Sequence, residues 1–259
     1  MRRVAGRRLG DGREARDDFV VTTSVPHEHR GISHVPAGGG RPAGSGPASS
    51  ACAPGGDCQP HGYDAGVSEL DRLREEACAC TRCALAPTRT QVVFGVGNPD
   101  AALLFVGEGP GREEDLAGEP FVGRSGRLLD QLMDQELGWD RQACYIANVV
   151  KCRPPGNRDP QPAEMEACRP YLDRQISIIA PHVVVSLGNV ATRALLGIAE
   201  GIRNVRGKAY PFPASFPLAD GWIVPTYHPA FALRAGGDAV AEMRADLIRA
   251  KRLLATTAV

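Results

Sequence analysis

From Val67 onward the chain alternates between short apolar runs and longer stretches whose apolar residues fall three and four apart. Val67, Leu70, Leu73 and Ala77 recur at helical spacing, with Ser68 placed to cap the helix start. Four runs suit buried strands: AALLFVG (Ala101–Gly107), CYIANVV (Cys144–Val150), HVVVSLG (His182–Gly188) and WIVPTYHP (Trp222–Pro229). Between them, SGRLLDQLMDQEL carries Leu128, Leu129, Leu132 and Met133 on one side of a helix, and PAEMEACRPYLDRQISII predicts a second, longer helix. NVATRALLG is a short helix, and DAVAEMRADLIRAKRLLA closes the chain as a helix capped by Asp238. Strands alternating with helices imply an α/β fold, a parallel sheet covered on both faces. Such sheets bind ligands beyond the carboxyl ends of their strands. Three segments lie there: GEGPG after the first strand, Asn148 in the second and His228 after the fourth.

Residues 1–65 break this pattern. Between Gly31 and Pro60, 13 of 30 residues are Gly or Pro, too little apolar surface to offset ordering entropy, so a disordered tail is expected before a domain over 66–259. Over the whole chain 30 basic and 30 acidic residues cancel, which argues against holding nucleic acid by bulk positive charge. No apolar run approaches a membrane span, and no apolar segment follows the charged N-terminus, so a cytoplasmic protein without membrane contact is expected. Eight Cys without a secretion signal point to metal or redox chemistry more than to disulfides.

Cys80 and Cys83 form a CxxC pair just after a helix, and Cys152 and Cys168 follow later. Four thiolates complete a tetrahedral zinc site or hold a four-iron cluster, and spacing does not separate the two. Cys78 is an alternative ligand; Cys144, inside a strand, suits an ordinary buried Cys. Cys52 and Cys58 fall in the tail.

Taken together, CTRCAL, RTQVVFGVGNPDAALLFVGEGPGREEDLAGEPFVGRSGRLLD, YIANVVKCRPPGNRDPQPAEMEACRPYL, VVVSLG and YHPAFALR resemble the family-4 uracil-DNA glycosylases, the iron–sulfur branch of that superfamily. The resemblance covers roughly residues 70–254 and implies a three-layer α/β/α fold around a four-stranded parallel sheet. It also implies a structural 4Fe–4S cluster on Cys80, Cys83, Cys152 and Cys168. The expected substrate is uracil in single- or double-stranded DNA, handled by a monomer.

That chemistry asks the pocket to recognise a flipped base, stabilise its departing anion and admit a water. The Asn148 amide offers one donor and one acceptor, matching uracil O4 and N3–H, whereas cytosine leaves both unpaired. Phe121 resembles the residue that stacks on the base, and His228 the donor to uracil O2. Gly107, Glu108 and Gly109 bring backbone close to the base; the family's usual GEAPG has alanine where Gly109 stands, which should free the loop. Pro110 and the spacing break a dinucleotide-binding GxGxxG, and Glu113, Glu114 and Asp115 would repel a pyrophosphate. Related families place a catalytic Asp in this loop and this chain has none, so Glu108 and Glu114 are nominated to position water. Glu114 is alternatively a wall against thymine's methyl group.

HPAFALR looks like the loop that enters the duplex, with Leu233 or Phe231 as wedge and Arg234 on a phosphate. Lys151, Arg153 and Arg158 in KCRPPGNRDPQP are expected to clamp the DNA backbone beside the cluster. Two other classes compete: a protein that traps uracil or abasic DNA without turnover, and a zinc-stabilised interaction module. The trapping branch uses a loop ending in His, and no His lies between Cys152 and Cys168.

Overall fold

A computed structural model describes residues 68–257. The expected tail, with Cys52, Cys58 and four His, lies outside them, as does Val67. Helix α1 (Glu69–Cys78) opens on Ser68, whose hydroxyl accepts from the Asp71 amide, as its position predicts. Strand β1 (Val96–Gly97) precedes β2 (Leu103–Gly107), α2 (Arg112–Ala117) and α3 (Arg124–Leu132), which runs on into a π-helical turn at Met133–Leu137. Then come β3 (Tyr145–Asn148), α4 (Pro162–Ile179), β4 (Val183–Leu187), α5 (Gly188–Leu196) and α6 (Ile202–Val205). The described chain closes with β5 (Tyr210–Pro211), β6 (Trp222–Thr226), α7 (Pro229–Ala235) and α8 (Gly237–Thr257).

The four predicted strands form the parallel centre of the sheet, in the order β3-β2-β4-β6. Two antiparallel two-residue strands extend it to six: β1 beside β3 and β5 beside β6. Strands this short carry no readable alternation, which is why pattern alone misses them. Asp238 sits in the first turn of α8, not at its cap, where a carboxylate still complements the helix dipole.

Alternate β-strand side chains face opposite layers. Leu104, Val106, Tyr145, Ala147, Val184 and Ile223 pack with α1, α4 and α5 on one face. Leu103, Phe105, Ile146, Val183, Val185 and Val224 pack with α3, α7 and α8 on the other. Cys144 is buried in this second core, where burial pushes its thiol up to about 12, consistent with a packing role.

A buried ion pair locks α8 to the sheet end. The Asp246 carboxylate, with 0% exposure, accepts from Arg206 Nε at 3.0 Å, from Nη2 at 2.9 Å and from the Gly207 amide at 3.1 Å. Asp246→Ala leaves Arg206 with Glu242 at 3.0 Å as its remaining carboxylate and takes away the acceptor of the Gly207 amide, so it should destabilise the fold by about 1–3 kcal/mol, read as a lowered Tm. An unchanged Tm would show that the pair is dispensable.

Candidate functional site

The parallel strands end around one cleft of about 870 Å³. At its floor, Gly107 of β2 lies in register with Asn148 of β3. Asn148 is 2% exposed, and its side-chain oxygen has no hydrogen-bond partner among the described residues. Native proteins rarely leave such a group unpaired, so this acceptor is free to take a hydrogen bond from a molecule in the cleft. Gly107 makes room for it: a Cβ there would stand 2.4 Å from Asn148 Oδ1 and 2.5 Å from Phe121 Cζ.

Phe121 forms one wall with a left-handed backbone, φ 55°. For a residue other than Gly this costs about 1–3 kcal/mol, so surrounding contacts must impose it. Two groups do so. Glu114 accepts from the Gly111 amide with Oε2 at 3.1 Å, and from Val122 and Gly123 with Oε1 at 3.1 and 3.0 Å. Arg141 donates to the carbonyls of Pro120 (2.9 Å) and Phe121 while paired with Asp130 at 2.7 Å. Gly126 passes so close that a Cβ would fall 1.6 Å from the Phe121 carbonyl oxygen.

Glu114 was expected to position water, and its committed oxygens argue against that. The carboxylate organises the Phe121 loop instead, although it still lines the cleft. Glu108, half-buried at the end of β2, keeps its side chain available. Burial, helped by Asp159, raises its carboxyl to about 7.

His228 caps α7, and its Nδ1 accepts from the Ala230 amide at 3.1 Å. A neutral imidazole accepting at Nδ1 carries its proton on Nε2. Burial, with Arg234 nearby, lowers its pKa to about 4, against a smaller opposing pull from Glu114. The ring centroid lies 5.7 Å from that of Phe121. Gly188 clears its path, since a Cβ there would meet His228 Cβ at 2.9 Å.

The expected contact residues separate. HPAFALR is not a loop but the cap and nearly all of α7, with Pro229 at the first position, where a missing amide proton does no harm. Leu233 is 41% exposed, while Phe231 packs on Tyr227 at 4.8 Å, so Leu233 is the better wedge. Arg234 and Arg158 line the cleft, and Arg158 also pairs with the buried Glu164 at 2.6 Å. Arg153 is half-buried and donates to Asn157. Lys151 contradicts its expectation: at 1% exposure it cannot clamp a DNA backbone. Gly109 departs from expectation too, because a Cβ there would press on Val150 Cγ2 at 2.7 Å, so the loop is packed rather than loose. Arg203 and Asn204, on the four-residue α6, also line the cleft, as does Asn189 at the start of α5; none of the three was predicted as a site residue.

Residues 94–250 match the model of the uracil DNA glycosylase superfamily. The chain is 45% identical over 171 residues to a type-4 uracil-DNA glycosylase of Sulfurisphaera tokodaii, covering 64% of this chain and 77% of that protein. Against that of Thermotoga maritima it is 46% identical over 166 residues, covering 64% and 83%, and against that of Archaeoglobus fulgidus 42% over 176 residues, covering 64% and 84%. The chain belongs to the uracil DNA glycosylase superfamily, in its type-4 branch.

On the face of the sheet that carries α1 and α4, this glycosylase brings Cys80, Cys83, Cys152 and Cys168 together around a second, small cavity. Cys78 does not line it. Arg89 donates to the Cys80 and Cys78 carbonyls and lies 3.5 Å from Cys152 Sγ, so the thiol cage is flanked by positive charge.

His228 gives a signed pH expectation. Its ordinary value is 6.5 and its folded value about 4. As pH falls through that window the unfolded chain takes the proton first, so folded stability drops. An NMR titration of the His228 ring should show a midpoint near 4, and Arg234→Ala should raise it. A midpoint near 6.5 would contradict the buried neutral imidazole.

Proposed function

We propose that this chain hydrolyses the N-glycosidic bond of uracil in DNA, releasing uracil and leaving an abasic site, with Asn148 reading the base. The observation that carries the site assignment is the unpartnered, buried Asn148 side-chain oxygen on the cleft floor. Uracil N3–H supplies the donor it lacks, and the amide nitrogen donates to O4. Cytosine has no N3–H and carries an amino group at C4, so it would leave the buried amide unsatisfied.

The base leaves the stack at a cost of a few kcal/mol, and stacking on Phe121 returns about 1–3 kcal/mol of that. As the glycosidic bond lengthens, negative charge grows on uracil O2, and His228 Nε2–H donates to it. An imidazole held neutral keeps that donor without carrying a charge that would hold the product anion. Glu108 orients the attacking water and takes its proton. Leu233 fills the gap left in the duplex, while Arg153, Arg158 and Arg234 contact phosphates.

Cys80, Cys83, Cys152 and Cys168 hold a 4Fe–4S cluster in this proposal. The four Cys line one cavity, and four thiolates can hold either a four-iron cluster or zinc. The resemblance of the chain's motifs to the iron–sulfur branch favours the cluster over zinc. Its contribution is a cross-link joining the segment after α1, the extension of β3 and α4. The reducing conditions such a cluster needs fit a cytoplasmic site of action.

Incubation with a uracil-containing oligonucleotide followed by alkali should cleave the strand at the uracil. A stable protein–DNA adduct without turnover would instead indicate trapping. Asn148→Asp should fold normally and lose activity by about 10²–10³-fold, the scale of removing one preorganised partner. For the wild type, kcat/KM should rise with pH through about 7 as Glu108 ionises and then level off, and Glu108→Gln should abolish that rise. A profile without that limb would remove Glu108 from the mechanism.

A further inference from the structure

Lys151 is among the largest fully buried side chains of the protein, and the pocket does not use it as a DNA contact. Its ammonium donates to the Asn148 backbone carbonyl at 2.8 Å and to Gln175 Oε1 at 2.5 Å. The Phe94 ring lies 6.0 Å away. All three neighbours are neutral, and none of the described ion pairs includes Lys151. Lys151 lines the same small cavity as Cys80, Cys83, Cys152 and Cys168.

An isolated ammonium in a protein interior is strongly unfavourable unless an anion compensates it. Four thiolates around a metal cluster form such an anion. The backbone repeats the link: the Lys151 amide donates to Cys168 Sγ at 3.3 Å, and the next residue is Cys152. Gln175, itself fully buried, fixes the other side of the ammonium by donating to the Phe94 carbonyl at 2.9 Å. One residue therefore links the two sites, its backbone amide bonded to Cys168 and its ammonium to the residue on the cleft floor.

We propose that Lys151 is the buried counter-cation of the four-cysteine centre and, through its bond to the Asn148 carbonyl, a positioning residue for the base pocket, coupling the two sites. This rests on the assignment of a cluster to Cys80, Cys83, Cys152 and Cys168. Removing the charge weakens the hold on the cluster, and removing the ammonium frees the end of β3 that carries Asn148.

The test uses the full chain purified with its iron. Lys151→Met removes the charge at similar length, and Lys151→Arg keeps it. Iron release to a chelator, followed at the cluster absorbance near 400 nm, should be about tenfold faster in Lys151→Met and restored by Arg, the scale of lost support to metal ligands. In the iron-loaded Met variant kcat for uracil excision should fall by about tenfold, with KM changed far less. If Lys151→Met does not fold, Lys151→Gln removes the same charge and should show the same faster release. Unchanged iron release overturns the counter-cation, and unchanged kcat overturns the coupling. Wild-type protein that purifies active but without iron overturns the cluster assignment and this inference together.

Discussion

The site depends on a constraint at the end of two parallel strands, where the sheet has to hold an unpaired polar group against an aromatic ring with nothing between them. Gly107 and Asn148 stand side by side in the β2–β3 register, and Phe121 closes over both. Any side chain at Gly107 would overlap the Asn148 oxygen and the ring. The floor is therefore backbone on one strand and a single amide on the other. Its position is fixed by ladder hydrogen bonds that continue past the strand ends, Val149 to Gly107 and Val150 to Glu108. The pocket floor is thus set by the hydrogen-bonded centre of the sheet.

The groups above the floor are looser by nature and need separate anchors. Phe121 holds an unfavourable backbone conformation, kept by one carboxylate from α2 and one guanidinium from the segment before β3. His228 is fixed by an economical route: the hydrogen bond that caps α7 also sets which ring nitrogen carries the proton. Helix capping and tautomer choice are thus one interaction, so a change that disturbed the start of α7 would alter chemistry as well as local stability. Arg141 and Glu114 touch no reacting atom in the proposed mechanism, yet they decide where the stacking ring sits.

Much of the plan was legible in the sequence. Four apolar runs of strand length gave the parallel centre of the sheet, and Asn148, His228 and the Gly107 loop lie together because open α/β sheets gather ligands at their carboxyl ends. Residue type was a poorer guide than position. Lys151 and Arg158 look alike as cations in one basic, Pro-rich stretch, but one is buried beside thiols and the other reaches the cleft rim. Arg141 gives no local signal, since its partners are backbone carbonyls 20 and 21 residues away. Glu114 read as a residue that positions water because its backbone donors cannot be seen without the fold.

Within the described residues, many of the charges are already paired with one another. Many of the arginines have work inside the fold: Arg141 with Asp130, Arg158 with Glu164, Arg206 with Asp246, Arg174 with Glu76 and Arg244 with Glu136. Each such pair cancels in the far field, so little long-range attraction toward a polyanion remains. Among the described residues Arg203 and Arg234 line the cleft without an ion pair, and they can act only at short range. A glycosylase built this way gains little from bulk electrostatics and depends on the fit of one extruded base. That fit in turn depends on Asn148, whose backbone is held by a cation belonging as much to the cysteine cage as to the pocket.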